Sequence, residues 1–148
     1  MVEYLLEVIV IPVADVDRAQ EFYRRIGFRE DLDYVGGPDF RVVHVTPPGS
    51  HCSIVFGTGI GTAAPGSMEN VHLIVGDIEQ ARAELISRGV EVSEIFHDAD
   101  GVFHHAAEEK RVPGLYPGRL SYGSFASFRD PDGNGFLLQE VTERSTGR

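Results

Sequence analysis

The stretch VIVIPVADVDRAQEFYRRIGF, residues Val8–Phe28, recurs later in the chain in altered form. It aligns without a gap to NVHLIVGDIEQARAELISRGV, residues Asn70–Val90, so the offset is a constant 62 residues. The identical pairs are Val13 with Val75, Asp15 with Asp77, Ala19 with Ala81, and Gly27 with Gly89. Self-similarity at a fixed period indicates two copies of one supersecondary unit.

Each copy has the pattern of a strand, a helix and a second strand. Apolar, β-branched residues begin each copy and predict a strand. Asp15 and Asp77 are suited to cap the N-terminus of a helix, and a glycine ends each helix. The apolar residues at helical spacing are Val16, Ala19, Phe22, Tyr23 and Ile26 in the first copy, and Ile78, Ala81, Leu85 and Ile86 in the second. The predicted strands that follow are Phe28–Leu32 and Val90–Phe96.

Each half closes with a turn and a last strand, so each half is predicted to be a βαβββ module. The turns are Pro47–Ser50 and Asp130–Asn134, and the last strands are Cys52–Phe56 and Phe136–Val141. The second half is longer, and its irregular stretch, His97–Ser121, is interpreted as an insertion. The result is an α+β protein of roughly eight strands and two helices. We expect one domain over residues 1–148, with module one at about 4–57, a linker at about 58–68 and module two at about 69–142.

The composition excludes several classes of partner. Thirteen Lys and Arg against 23 Asp and Glu give a net charge of −10, which is unsuited to nucleic acid or an anionic membrane surface. No apolar run reaches the roughly 18 residues needed to span a bilayer, and the first residues do not resemble a secretion signal. The single cysteine, Cys52, cannot form an internal disulfide. These features predict a cytoplasmic protein.

The two ends of the repeat resemble a known family. Val8–Phe28 and the segment SFRDPDGNGFLLQE, Ser127–Glu140, are similar to the opening and closing signatures of the glyoxalase/bleomycin resistance protein/dioxygenase (vicinal oxygen chelate) superfamily. The resemblance implies two tandem βαβββ modules that form an open, half-barrel cavity lined by sheet, and a homodimer. It does not specify a reaction, since the family includes lyases, isomerases, dioxygenases and metal-free antibiotic-binding proteins.

The metal ligands that the resemblance implies are missing from this sequence. Metal-using relatives carry His, Gln or Glu on the first and last strand of each module; the corresponding residues here are Val8, Asn70, Leu137, and Ile54 or Ser53. Hydrocarbon side chains cannot bind a cation, so no cofactor is predicted. His72 and Gln139 lie two residues beyond Asn70 and Leu137, on the same side of their strands. We expect them to be polar cavity wall; the alternative is an atypical divalent metal site completed by histidines of the insertion.

The insertion is rich in side chains that bind ligands. It carries His97, His104 and His105 together with Arg111, and Tyr122 follows it directly. A loop of this length is usually functional or disordered, and we expect a lid that supplies His or Arg to a ligand. The alternative is an exposed flap or a dimer contact. His104 and His105 are adjacent, so in an extended segment only one of them can face the cavity.

Three functions remain open at this point. The first is a metal-independent protein that binds a small molecule, for which the acidic charge favours a cationic ligand. The second is a glyoxalase-type lyase or isomerase, with His72 as general acid/base or as ligand of an atypical metal site. The third is a regulatory protein whose relevant feature is its dimer surface. The candidate ligand-binding residues are His72, Gln139, Asn70, His97, His104, Arg111 and Tyr122.

Overall fold

The computed structural model describes residues 1–147 and contains two sheets and two α-helices. The elements in chain order are β1 (Val8–Val10), α1 (Val16–Arg25), β2 (Arg29–Val35), β3 (Arg41–Thr46), β4 (Ser53–Thr58), β5 (Val71–Val75), α2 (Ile78–Ser87), β6 (Phe96–Asp98), β7 (Arg111–Pro113), β8 (Phe125–Arg129) and β9 (Gly135–Glu140). Two short 3-10 helices, Glu108–Lys110 and Pro117–Arg119, lie between β6 and β8. The α+β class with two modules is thus confirmed.

The chain divides into two compact units. Unit 1 contains Met1–Glu69 and Arg129–Asn134, and unit 2 contains Asn70–Phe128 and the residues from Gly135 onward. The extent of a single domain, with its modules and linker, stays a prediction. Within the described residues no helix is long and apolar enough to cross a membrane.

Unit 1 is a four-stranded sheet with α1 packed against it. The strand order is β1-β4-β3-β2, with β1 parallel to β4 and the other pairs antiparallel. The apolar stripe predicted for α1 is confirmed, because all five of its residues are buried. Tyr23 stacks beside Phe28 and Phe56, so aromatic packing joins the helix to the sheet.

Both predicted helix starts are confirmed. The carboxylate of Asp15 accepts the backbone N–H of Arg18, and that of Asp77 accepts the backbone N–H of Gln80. These bonds satisfy N–H groups that have no partner inside the helix. Gly27 and Gly89 follow the helices with φ of 90° and 86°, a conformation that favours glycine.

Unit 2 has a five-stranded sheet in the order β5-β9-β8-β6-β7, with β5 parallel to β9. The predicted strand Val90–Phe96 is wrong in position, because the strand begins at Phe96 and runs to Asp98. The described residues form nine strands, one more than expected, because the insertion adds β7 at the edge of the sheet. Ile86 is exposed, which contradicts its place in the predicted apolar stripe, and Ile78 is the buried residue of α2.

Glu140 connects the insertion to the start of α2. Its buried carboxylate accepts the backbone N–H of Ile78 and a two-pronged contact from the Arg119 guanidinium at 2.8 and 2.9 Å. The hydrogen bond from Arg119 holds the pKa of Glu140 below its ordinary value, against the effect of burial. Arg119 also reaches Asp77 and Glu79, so it holds the C-terminal part of the insertion against α2.

The Asp130–Asn134 turn belongs to unit 1, although it connects two strands of the other sheet. Asp130 Oδ1 accepts the backbone N–H groups of Asp132 and Asn134, which closes the predicted turn. Asp130 Oδ2 accepts the Tyr23 hydroxyl at 2.8 Å and the Asn134 side-chain amide at 2.9 Å. Tyr23, Asp130 and Asn134 are all buried, and we call them the turn cluster.

The turn cluster predicts a specific loss of stability in Tyr23→Phe. Burial and the neighbouring Asp130 raise the pKa of Tyr23, so its hydroxyl stays protonated and can donate. Removing the hydroxyl takes this donor from the buried Asp130 carboxylate. We expect a loss of about 1–3 kcal/mol in the free energy of unfolding, measured by urea denaturation. Tyr34→Phe, at an exposed tyrosine of β2, is the control and should change little. Equal stability of the two variants would contradict a structural role for the turn cluster.

Candidate functional site

One face of the unit 2 sheet collects apolar and imidazole side chains. Cross-strand partners point to the same face, and the parallel register pairs His72 with Leu137 and Ile74 with Gln139. Phe96, Phe125 and Leu137 form a buried apolar cluster there. We call this surface the His72 face and define it by His72, Ile74, Phe96, Phe125, Leu137 and Gln139.

The His72 face has a buried apolar floor and an exposed edge. Phe96 and Phe125 stack with ring centroids 5.8 Å apart, and Leu137 packs with them. His72 and Ile74 on β5 are exposed, and the His72 ring meets Phe125 edge-on at 6.4 Å. Small-molecule sites usually have an apolar floor with a few polar groups at the edge.

His72 is held in a defined tautomer. Its Nδ1 lies 2.8 Å from the backbone carbonyl oxygen of Asn70, and a carbonyl only accepts. Nδ1 therefore carries the proton, and in the neutral ring Nε2 is left with its lone pair. Asn70 precedes β5 with a φ of 61°, a left-handed conformation that Asn tolerates better than most residues.

The insertion brings His104 onto the His72 face. The His104 ring lies 5.6 Å from that of His72 and 5.0 Å from that of Phe125. Partial burial lowers the pKa of His104, and the neighbouring His72 ring and the Arg111 guanidinium lower it further, although the His105 carbonyl and Asp98 oppose this. The neutral ring is therefore favoured at His104.

Arg111, at the start of β7, lies on the same face. Its guanidinium carbon is 4.2 Å from the centroid of the Phe96 ring, a cation–π contact. Its Nε is buried and has no hydrogen-bond acceptor within residues 1–147. Buried donors in proteins are nearly always paired, so this one is an exception that needs an explanation.

Asp98 anchors the part of the insertion that carries His104. Asp98 is buried and accepts the backbone N–H of Asp100, the backbone N–H of His105 and the His105 ring at Nδ1. Burial raises the pKa of Asp98, but these hydrogen bonds outweigh it and lower the pKa to about 2. The carboxylate is therefore charged at neutral pH. His104 contacts the His72 face while the adjacent His105 binds Asp98.

The structure brings only some of the predicted residues together. Gln139 lies on the His72 face, but its side-chain amide donates to the backbone carbonyl of Tyr122. The Tyr122 hydroxyl is directed away, to the backbone N–H of Ser145. His97 is separated from His72 as well, because it alternates with Phe96 on β6 and its ring contacts Gly114 and Tyr116.

Three residues of this site were missed in the sequence. Phe96, Phe125 and Asp98 were not among the candidates, yet the two phenylalanines form the floor and Asp98 holds the insertion. The two phenylalanines in the run Phe125–Phe128 favour a strand, which was the available signal for Phe125. No local pattern distinguishes Asp98 from an exposed loop aspartate.

Comparison with known proteins agrees with this architecture. The model of the Glyoxalase/Bleomycin resistance protein/Dioxygenase superfamily matches residues 5–138. The chain belongs to this superfamily. The crystal structure of TnmS3, an antibiotic binding protein from Streptomyces sp. CB03234, has 27% identity and a TM-score of 0.68, and covers 95% of this chain and 98% of its own.

Two further proteins are similar to most of the chain. A member from Sphaerobacter thermophilus DSM 20745 has 27% identity and a TM-score of 0.64, with coverage of 93% of this chain and 98% of its own. YetH, an uncharacterized protein of Bacillus subtilis (strain 168), is 26% identical over 137 residues, which is 89% of this chain and 94% of YetH.

The residues present do not fit the metal site of the superfamily. Leu137 lies in the apolar cluster, and Val8 is a strand residue paired with Ser53, so two of the ligand positions are hydrocarbon. The one group of three or more His, Cys, Asp or Glu ligand atoms among residues 1–147 is Asp98, Asp100 and His105, within 4.8 Å of one another. There His105 already binds Asp98, and Lys110 binds Asp100 at 3.1 Å.

The surroundings of His104 predict a titration that depends on Arg111. We expect NMR titration of the His104 ring to give a pKa below the ordinary value for histidine. Arg111→Gln should raise this pKa, because it removes a neighbouring positive charge. Arg88→Gln, at an exposed residue of unit 2 that pairs with Glu84, should leave it unchanged. The same His104 pKa in all three proteins would show that Arg111 does not act on this ring.

Proposed function

We propose that the protein binds a small molecule on the His72 face without a metal ion. The observation that carries the proposal is the convergence of His72, His104, Phe125 and Arg111 over one apolar floor. These residues come from β5, the insertion, β8 and β7, which are distant in sequence. His72 is exposed, and His104 and Arg111 are partly exposed, which suits these three residues to recognition rather than to stability.

The relatives support an antibiotic-like ligand. TnmS3 is described as an antibiotic binding protein and resembles this chain over nearly its full length. We propose that the present protein likewise sequesters a compound of that type, as bleomycin resistance proteins do. A homodimer and a cytoplasmic location stay predictions, and so does a regulatory role for the dimer surface.

Binding is tested with the metal-free protein and a fixed set of compounds. After dialysis against EDTA, the protein is titrated by calorimetry with bleomycin, an anthracycline and an anthraquinone. We expect at least one compound to bind and to shift the ring signals of His72 and His104 in NMR spectra. His104→Ala should weaken that binding by about tenfold or more, because each lost ring contact and hydrogen bond costs about 1 kcal/mol or more.

His51→Ala, at an exposed histidine of unit 1, is the matched control for that substitution and should bind as the wild type does. Binding that leaves the His72 and His104 signals unmoved, or that requires an added metal, would contradict the proposal.

Catalysis is a second candidate, and the tautomer of His72 favours it. Because Nδ1 donates to the Asn70 carbonyl, the neutral ring has an unprotonated Nε2 that can accept a proton from a bound molecule. A base of this kind suits the lyase or isomerase chemistry found in the superfamily. We propose this role only for His72, since the pKa of His104 is lowered and its ring is partly covered.

Catalysis is tested with each compound that binds. The compound and the protein are incubated in D2O, and mass spectrometry follows both conversion and deuterium incorporation. If His72 is a base, His72→Ala should slow the reaction by about 10²–10⁴-fold while binding falls far less. His51→Ala should react at the wild-type rate. Absence of conversion and exchange in the wild type would leave binding as the function.

A further inference from the structure

We propose that the ligand is an aromatic acid whose carboxylate, or an equivalent acidic oxygen pair, binds the Arg111 guanidinium. The proposal rests on the proposed function, because it concerns a ligand on the His72 face. It names the chemical class of that ligand. It also replaces the expectation of a cationic ligand, which considered only the total charge of the chain.

Arg111 has no carboxylate partner among residues 1–147, although the chain has an excess of acidic residues. Asp and Glu outnumber Lys and Arg by 23 to 13, yet Arg111 takes part in none of the ion pairs among residues 1–147. Arg41 and Arg119, by contrast, each contact two or more carboxylates. The buried Nε of Arg111 still needs an acceptor.

The carboxylate opposite Arg111 in the sheet already has hydrogen-bond donors of its own. Asp98 stands directly opposite Arg111 in the β6–β7 register. Its oxygens accept two backbone N–H groups and the His105 ring instead. Asp98 therefore leaves the hydrogen-bond donors of Arg111 to a ligand.

The groups around Arg111 favour an acid that carries an aromatic ring. The guanidinium lies on Phe96, and the floor continues through Phe125 to the paired rings of His72 and His104. A planar ring gains most from edge-on or offset contacts with such rings. The planar fork of Arg matches the two oxygens of a carboxylate, which a single point charge does not.

The test compares an acid with its neutral isostere. Calorimetry measures the Kd of 2-naphthoate and of 2-naphthamide for the wild type, Arg111→Gln and the control Arg88→Gln. We expect the wild type and the control to bind 2-naphthoate at least tenfold more tightly than 2-naphthamide, as a charged hydrogen-bonded pair implies. In Arg111→Gln the preference for the acid should disappear while 2-naphthamide binds as before.

Arg111→Lys keeps the charge but not the fork, and it serves if the Gln variant fails to fold. We expect it to bind 2-naphthoate several-fold more weakly than the wild type and 2-naphthamide equally well. Equal affinity of wild type and Arg111→Lys for 2-naphthoate would overturn the proposal.

The outcomes separate this proposal from the proposed function. Equal affinity of the wild type for 2-naphthoate and 2-naphthamide, unchanged in Arg111→Gln, overturns the acid but leaves a small-molecule site on the His72 face. If neither naphthalene compound binds, while an antibiotic binds and shifts the His72 and His104 signals, the aromatic acid is likewise overturned and the small-molecule site remains. If no compound of either set binds, the proposed function fails together with the inference.

Discussion

The buried carboxylate of Asp130 joins helix α1 to the Asp130–Asn134 turn within unit 1. A charge removed from water is tolerated only when its oxygens are fully hydrogen-bonded, and here Tyr23, Asn134 and the backbone of the turn supply the donors. Each donor has to be in place for the others to be stable. The position of α1 on its sheet and the conformation of the turn are therefore fixed by one set of bonds, which Asn134 extends to the backbone of Pro12 and Met68.

The two acidic groups that organise unit 2 contrast with Arg111. Glu140 and Asp98 are buried and satisfied by neighbours of their own chain, and both hold parts of the insertion. Arg111 is held in place by Phe96 but not satisfied. The hydrogen bonds thus separate side chains that stabilise the fold from Arg111, whose Nε has no acceptor among residues 1–147.

Local features of the fold were predictable, and distant ones were not. Residue spacing and backbone preference can be read from the sequence itself. They predict the N-caps Asp15 and Asp77, the glycines after both helices and the buried stripe of α1. Asp130 was recognised as a turn residue, but its bond to Tyr23 joins residues 107 positions apart. No pattern within a short window encodes such a contact.

The candidate site shows the same division. Strand alternation puts His72 on the side of Asn70 and Gln139 on the side of Leu137, as expected, and the register of β5 against β9 places both on one face. The course of the insertion was not predictable, because short strands and 3-10 turns have weak periodicity. His97 and Tyr122 were therefore grouped with His104 and Arg111, although their side chains contact other parts of unit 2.

The tandem repeat also bears on how the protein evolved. The loop of the first copy, Pro47–Ser50, has no Asp or Asn equivalent to Asp130 and Asn134, and the six residues that complete unit 1 are encoded in the second copy. If the chain arose by duplication, its first half has since come to depend on its second, and the first copy could no longer be inherited alone as a finished module.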